Sequence, residues 1–233
     1  MLPADISAML VARLDQLARQ VKEVIQAASV LGREFELHVL VWMLANEISL
    51  QNEIAEAEQA AVWSPLSEIR YIFNHALLRD VAYNMQLQTR RQELHALAFE
   101  ALKNLFGGEI HRHYGELAYH AEQAALTADA CRYLTLAGDA ARDEYQNTQA
   151  LDYYRRALAF LPQTDLNGHY SLHRECEKIL TELGRLDEAH AVDGGGLPRL
   201  PGAAGATDAR PVVLRRPRRA AGARPAGRRA DPV

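Results

Sequence analysis

Lysine is nearly missing from this chain: Lys22, Lys103 and Lys178 are the only three in 233 residues, and none follows a glycine. A phosphate-binding loop needs glycines whose backbone N–H groups cradle the anion, then a lysine and a hydroxyl residue. Gly107-Gly108 is followed by Glu109, which has the wrong charge for that task. The expectation is a chain without ATP turnover of its own. Cysteine is also scarce: Cys131 and Cys176 stand 45 residues apart, with no Cys-x-x-Cys pair and no metal-ligand spacing. Two lone thiols suit a reducing compartment and read as small buried apolar residues. The start, Met1-Leu2-Pro3-Ala4-Asp5, has neither the basic nor the apolar region of a secretory leader. The apolar run Val39–Leu44 falls far short of the ~18–20 residues a membrane-spanning helix needs. A cytoplasmic protein with no membrane partner is expected.

What is present divides unevenly. Residues 1–192 carry 17 Lys/Arg against 27 Asp/Glu, whereas residues 193–233 carry 9 Arg against 3 Asp. The net charge of −4 therefore sums a body near −10 and a tail near +6.

Helical periodicity dominates the body. Ile6, Leu10, Leu14 and Leu17 predict a first helix over about 4–18, with Pro3 and Asp5 at its start. Val21, Val24, Ile25 and Ala28 predict a second over 20–31, stopped by Gly32. Helices follow over 36–45 and 50–62. The stretch 61–73 changes period: a Ser64-Pro65 turn between short runs of β-formers predicts a hairpin. Helices resume over 75–86 and 89–105. Three helices, a small hairpin and more helix is the order of a winged-helix domain.

Beyond Gly107-Gly108, helical hairpins are expected over 110–125, 128–145, 148–161 and 172–183. Leu134, Ala137, Gly138, Ala141, Ala150, Tyr154, Ala157 and Pro162 fall where a 34-residue tetratricopeptide unit places large, small, small, medium, small, aromatic, small and proline residues. Leucine at Ala150 or Ala157 should overpack the unit by about 1–3 kcal/mol. Gly184–Ala189 begins a second unit after a spacing of 39, so a longer loop is expected around 163–168. Asp193-Gly194-Gly195-Gly196 should break its second helix. From 193 on, 31 of 41 residues are Ala, Arg, Gly or Pro, with no aromatic. Such a composition buries too little to fold and predicts a disordered tail, as an out-of-frame reading of GC-rich coding sequence would produce.

Leu2-Pro3 with Leu10-Val11-Ala12-Arg13-Leu14-Asp15-Gln16-Leu17, then Ala27-Ala28-Ser29-Val30-Leu31-Gly32-Arg33-Glu34-Phe35, Tyr71-Ile72-Phe73-Asn74-His75-Ala76-Leu77-Leu78-Arg79-Asp80-Val81-Ala82-Tyr83 and Arg90-Arg91-Gln92-Glu93-Leu94-His95 stand in an order and spacing with a resemblance. They resemble the region that follows the nucleotide-binding core of bacterial STAND/AAA-type signalling ATPases, found beside adenylate/guanylate cyclase or LuxR-like DNA-binding domains. The resemblance covers roughly residues 1–190. It implies a mainly α fold: a linker helix from a missing ATPase core over 1–18, a winged-helix-like domain over 19–106, tetratricopeptide-like hairpins over 109–191, and the disordered tail over 192–233. It also implies a regulatory role, with the winged helix packed on an upstream ATPase core and the repeats receiving a protein partner. ATP or ADP belongs to the full-length architecture; no cofactor is expected in this segment.

His75 carries the best site claim. The resemblance makes a histidine at this wing-to-helix junction a contact for nucleotide diphosphate, although Ala76 stands where an aspartate often follows. The plainer alternative is a capping or packing histidine. His111, His113, Glu116 and His120 are the densest group of possible ligands, but no His-Glu-x-x-His pattern exists and packed or solvated helix residues are the expectation. No metal site and no catalytic residue is expected. DNA is disfavoured as a partner, because 50–62 carries Glu53, Glu56 and Glu58 and no basic residue, and phosphates would repel it. Arg90-Arg91 reads as a solvated face. A free-standing tetratricopeptide-type adaptor is the alternative function.

Overall fold

The computed structural model describes residues 4–44 and 50–194, which form a mainly helical chain with one small sheet. Helix α1 (Ala4–Asp15) buries Leu10 and Leu14, and Arg13 reaches from it to the carbonyl of Ala60 at 2.5 Å. It ends three residues earlier than predicted. Helix α2 (Arg19–Leu31) buries Val21, Val24, Ile25 and Ala28 as expected, together with Ala27, Ser29 and Val30. It packs against the four helices that follow it and against the first strand, and lies at the centre of the core in the first half of the chain. Gly32 ends it at φ +119°, in the region open to glycine.

The chain then forms a strand that periodicity did not predict. β1 (Glu34–Glu36) pairs antiparallel with β3 (Arg70–Phe73), and β2 (Trp63–Pro65) pairs on the other edge of β3, giving the order β1-β3-β2. The predicted hairpin is β2–β3. Three residues alternating about one Phe are too short to register as a period, so β1 fell in the gap between the helices expected over 20–31 and 36–45, overlapping the second only at Glu36. It holds because Phe35 packs edge-on to Trp63 at 5.3 Å and against Phe73 at 5.7 Å. Trp63 donates its Nε1–H to the Ile54 carbonyl at 3.3 Å, tying the sheet to α4 (Leu50–Gln59). Between β1 and α4 lies α3 (Leu37–Met43), which starts one residue later than predicted because Glu36 belongs to β1, and ends at Met43 with Leu44 as its cap. Helices α5 (Ala76–Asn84) and α6 (Gln88–Leu105) follow, and α6 packs on both α2 and α3.

After a short 3-10 turn (Ile110–His113) come α7 (Tyr114–Gln123), α8 (Thr127–Asp143), α9 (Asn147–Phe160), α10 (Leu166–Glu182) and α11 (Leu186–Gly194). Each packs on its sequence neighbour, and α7 also packs on α6. Three of the connections share one geometry. Leu126, Gln146 and Arg185 donate their N–H to the carbonyls of Ala121, Ala141 and Leu180, five residues back, at 2.9, 2.8 and 2.8 Å. Each has a left-handed residue just before it: Ala125 at φ +59°, Tyr145 at +60° and Gly184 at +71°. This is the Schellman closure of a helix, for which glycine is the usual occupant.

Half of the long loop expected around 163–168 is helix instead, from Leu166 onward. Asp165 accepts a hydrogen bond from the Gly168 N–H at 2.9 Å and caps α10, which therefore starts six residues before the predicted 172. The extra residues of the 39-residue spacing lengthen a helix. Helix α11 runs on to Gly194, past the boundary drawn at 191. From residue 195 the tail lies outside the described residues.

Candidate functional site

His75 stands at the N-terminal cap of α5 with extended backbone (φ −130°, ψ +126°), and its side chain makes no capping hydrogen bond. Its carbonyl accepts the first helical bonds, from Leu78 at 3.0 Å and Arg79 at 3.4 Å. The ring is exposed. The preceding Asn74 fixes the junction: its amide donates to the Ala61 carbonyl at 3.0 Å, its carbonyl accepts from the Ser64 hydroxyl at 2.7 Å, and its N–H reaches the Val62 carbonyl at 3.0 Å. His75 thus occupies the cap position of α5, where the capping is done by backbone alone.

The cluster His111, His113, Glu116 and His120 does not come together. His111 is exposed; His113 stacks on Phe106 with centroids 4.0 Å apart and bonds Glu116 at 3.1 Å. His113 and Glu116 share the wall of a cleft of about 310 Å³ with Leu31, Phe35, Arg70 and Phe106. Several of its charges are matched within a few ångströms: Arg70 with Glu34 at 3.4 Å, and Arg112 with Glu109 at 2.8 Å. Among the described residues no group of three or more His, Cys, Asp or Glu side chains is placed to hold a metal ion.

His120 turns the other way and is buried against His95, their Nδ1 atoms 2.9 Å apart. His95 Nε2 lies 3.0 Å from the Tyr83 hydroxyl. Burial pushes His95 down to about 4, helped by the cations Arg79 and Arg91, and pushes His120 down to about 3, helped by His95. Both rings are thus neutral at neutral pH. The guanidiniums of Arg79 and Arg91 lie 4.9 and 5.0 Å from the centre of the Tyr83 ring. Arg91 was expected to be solvated; it packs on Tyr83, while Arg90 stays exposed beside Glu93. Sequence reading missed His95 as a partner. The available signal was that His120 stands 34 residues before Tyr154.

The face built by α7–α11 is laced by side-chain bonds of one span. Glu122 and Arg156 pair across 34 residues, Arg142 and Glu175 across 33 at 2.9 Å, Arg155 and Glu188 across 33 at 3.0 Å, and Asn147 with Glu182 across 35 at 3.0 Å. Tyr154 is fully buried, and its hydroxyl donates to Asp139 at 2.7 Å. A Cβ added to Gly138 would stand 2.5 Å from that ring. Ala137, Ala141, Ala150 and Ala157 are buried around the same contact. The three lysines each sit on a helix in an ion pair: Lys22 with Asp15, Lys103 with Glu100 and Lys178 with Glu175. Cys131 is half-buried and Cys176 buried, and burial raises both thiols, Cys176 to about 11. Glu56 and Glu58 are exposed on α4. No described helix is long and apolar enough to cross a membrane.

Against known proteins, no family model matches the chain and no solved structure matches it. An uncharacterized protein of Rhizobium meliloti (strain 1021) is 30% identical over 197 residues, a match covering 78% of this chain and 18% of that protein. The chain thus spans less than a fifth of the length of that relative.

Proposed function

We propose that this chain is a non-catalytic regulatory and protein-binding segment of a longer bacterial signalling ATPase, a winged-helix-like domain leading into tetratricopeptide-like repeats. The observation that carries the reading is the set of side-chain bonds spanning 33–35 residues across α7–α11. Bonds of that span are what stacked 34-residue helical hairpins produce, because each unit repeats the position of its neighbour. The small residues under Tyr154 support the same period. The antiparallel sheet β1-β3-β2, set among α2–α5, supports the winged-helix part. Stacked hairpins present long faces suited to a protein partner rather than a closed chemical site. All three lysines are committed to ion pairs on helices, which fits a segment that relays a nucleotide switch held elsewhere. In that setting exposed His75 would face the upstream ATPase core and its ADP or ATP, DNA is disfavoured by the acidic exposed side of α4, and the compartment is the cytoplasm. The far greater length of the Rhizobium relative is consistent with a segment of a larger architecture.

Two measurements test this. The coding sequence upstream is expected to hold an in-frame glycine-rich loop ending in Lys and Ser or Thr; an unrelated gene or a terminator there would favour the free-standing adaptor. Purified chain is expected to leave ATP unhydrolysed. Turnover that scales with its own concentration overturns the reading.

A further inference from the structure

The buried contact between α6 and α7 is built from two imidazoles with a single hydrogen between them. At 2.9 Å the two Nδ1 atoms of His95 and His120 share one N–H, so one ring donates and the other accepts. Tyr83 closes the far side of His95, bonding Nε2 at 3.0 Å as donor or acceptor according to the tautomer. Apart from Asp80, which is paired with Arg79, the charged and titratable groups around the pair are cationic or neutral. From α5 come Tyr83 and Arg79, the latter also bonded to Asp80 at 3.1 Å and to the Ser29 carbonyl of α2 at 2.7 Å. Arg91 comes from α6 itself. Tyr119 of α7 lies edge-on to His95 with centroids 5.5 Å apart. Gln86, which bonds Ser29 and the Gln26 carbonyl, carries the α2 side. Tyr133 of α8 packs on Phe99, one turn further along α6. His38 of α3 sits against Phe106 at the other end of α6. No carboxylate acts on either imidazole.

We infer that the His95–His120 contact is an acid-sensitive joint, which holds α7 on α6 while both rings are neutral and releases it when they are protonated. One proton places a buried cation beside two guanidiniums, and the one carboxylate at hand, Asp80, is already paired with Arg79. A second makes both Nδ1 atoms donors and removes the hydrogen bond altogether. Both rings regain an ordinary affinity for protons only when the joint opens, so acid draws the equilibrium toward the open form. The neighbouring α8–α9 contact has Tyr154 and Gly138 in its centre and lacks this response.

The test is amide hydrogen exchange of the full chain between pH 7 and pH 5, corrected for the intrinsic rate. Opening that frees both rings is expected to rise by roughly 10²–10³-fold in peptides covering α6 and α7. Peptides covering α8 and α9 are expected to keep their protection. A pH-independent opening, or a gain spread equally over α8 and α9, overturns the inference. His120→Phe, which removes one titrating ring, is expected to cut the gain to roughly 20-fold, and an undiminished gain overturns it. Imidazole NMR of the native chain gives an answer without any variant: both rings are expected to stay neutral in the folded protein at pH 5. Titration of either buried ring near 6.5 overturns the inference.

Discussion

Two helix contacts, 34 residues apart, solve one packing problem differently. On α9, Tyr154 presses its ring onto Gly138 of α8 and sends its hydroxyl out to Asp139. On α7, His120 occupies the matching place and meets His95 of α6. The first solution leaves room for a large ring by deleting a side chain, and its polar atom ends on a partly solvated carboxylate. Burial and Asp139 together raise the Tyr154 hydroxyl, so it stays protonated across the physiological range. The second solution fills the space with two smaller rings whose neutrality is conditional. A contact built on shape tolerates changes of solvent; one built on a shared proton does not.

The comparison can be broken most severely at its shape-based half. Tyr154→Ala empties the largest side chain of the α8–α9 contact and is expected to lower stability by about 3–5 kcal/mol in urea denaturation. The proton-based half should respond to acid. Both histidines titrate lower when folded, at about 4 and 3, than the 6.5 of an unfolded chain. Their contribution is therefore complete above pH 6.5 and is lost as pH falls from there toward 4. At pH 5 the loss is about 2 kcal/mol for each ring, measurable as a drop in the urea midpoint between pH 7 and 5.

Gly138→Ala sharpens the contrast at smaller scale. Alanine in a helix normally gains about 1 kcal/mol over glycine. Here its Cβ meets a ring held at 0% exposure, so a net loss of about 1–2 kcal/mol is expected. A gain in thermal stability would show that the Tyr154 ring is free to yield. Tyr145→Gly is expected to act in the other direction. Tyr145 is 90% exposed and sits in the left-handed closure that Gly184 occupies without strain. Replacing it should raise stability by up to about 1 kcal/mol, and an unchanged melting temperature would remove strain from the account.

Helices with long periodic faces were legible before any coordinates: Val21, Val24, Ile25 and Ala28 predicted the buried side of α2, and Ala150 and Ala157 the buried small positions of α9. Elements defined by pairing were not. Glu34-Phe35-Glu36 becomes a strand only because β3 lies beside it, and that information is 36 residues away. The capping of α10 by Asp165 was missed because the proline and polar run before it reads as loop. At the candidate site, His75 stands where β3 gives way to α5, and the bonds by which Asn74 holds that turn reach back to 61–64, out of view of a local pattern. His95 stood at the end of the quoted segment Arg90–His95, which gave it no role. Its importance comes from a partner 25 residues on, which no local pattern discloses.

Helix α6 belongs to both halves of the chain. One side packs on α2 and α3 and another receives α7, with Leu94, His95, Ala98 and Phe99 buried along its length. Severing the chain at the tempting Gly107-Gly108 would strip Leu117, Ala118, His120 and Ala121 of their wall. A shortened version that starts at Gln88 keeps that wall but lays bare the side of α6 that α2 and α3 cover, so neither cut separates two self-contained halves.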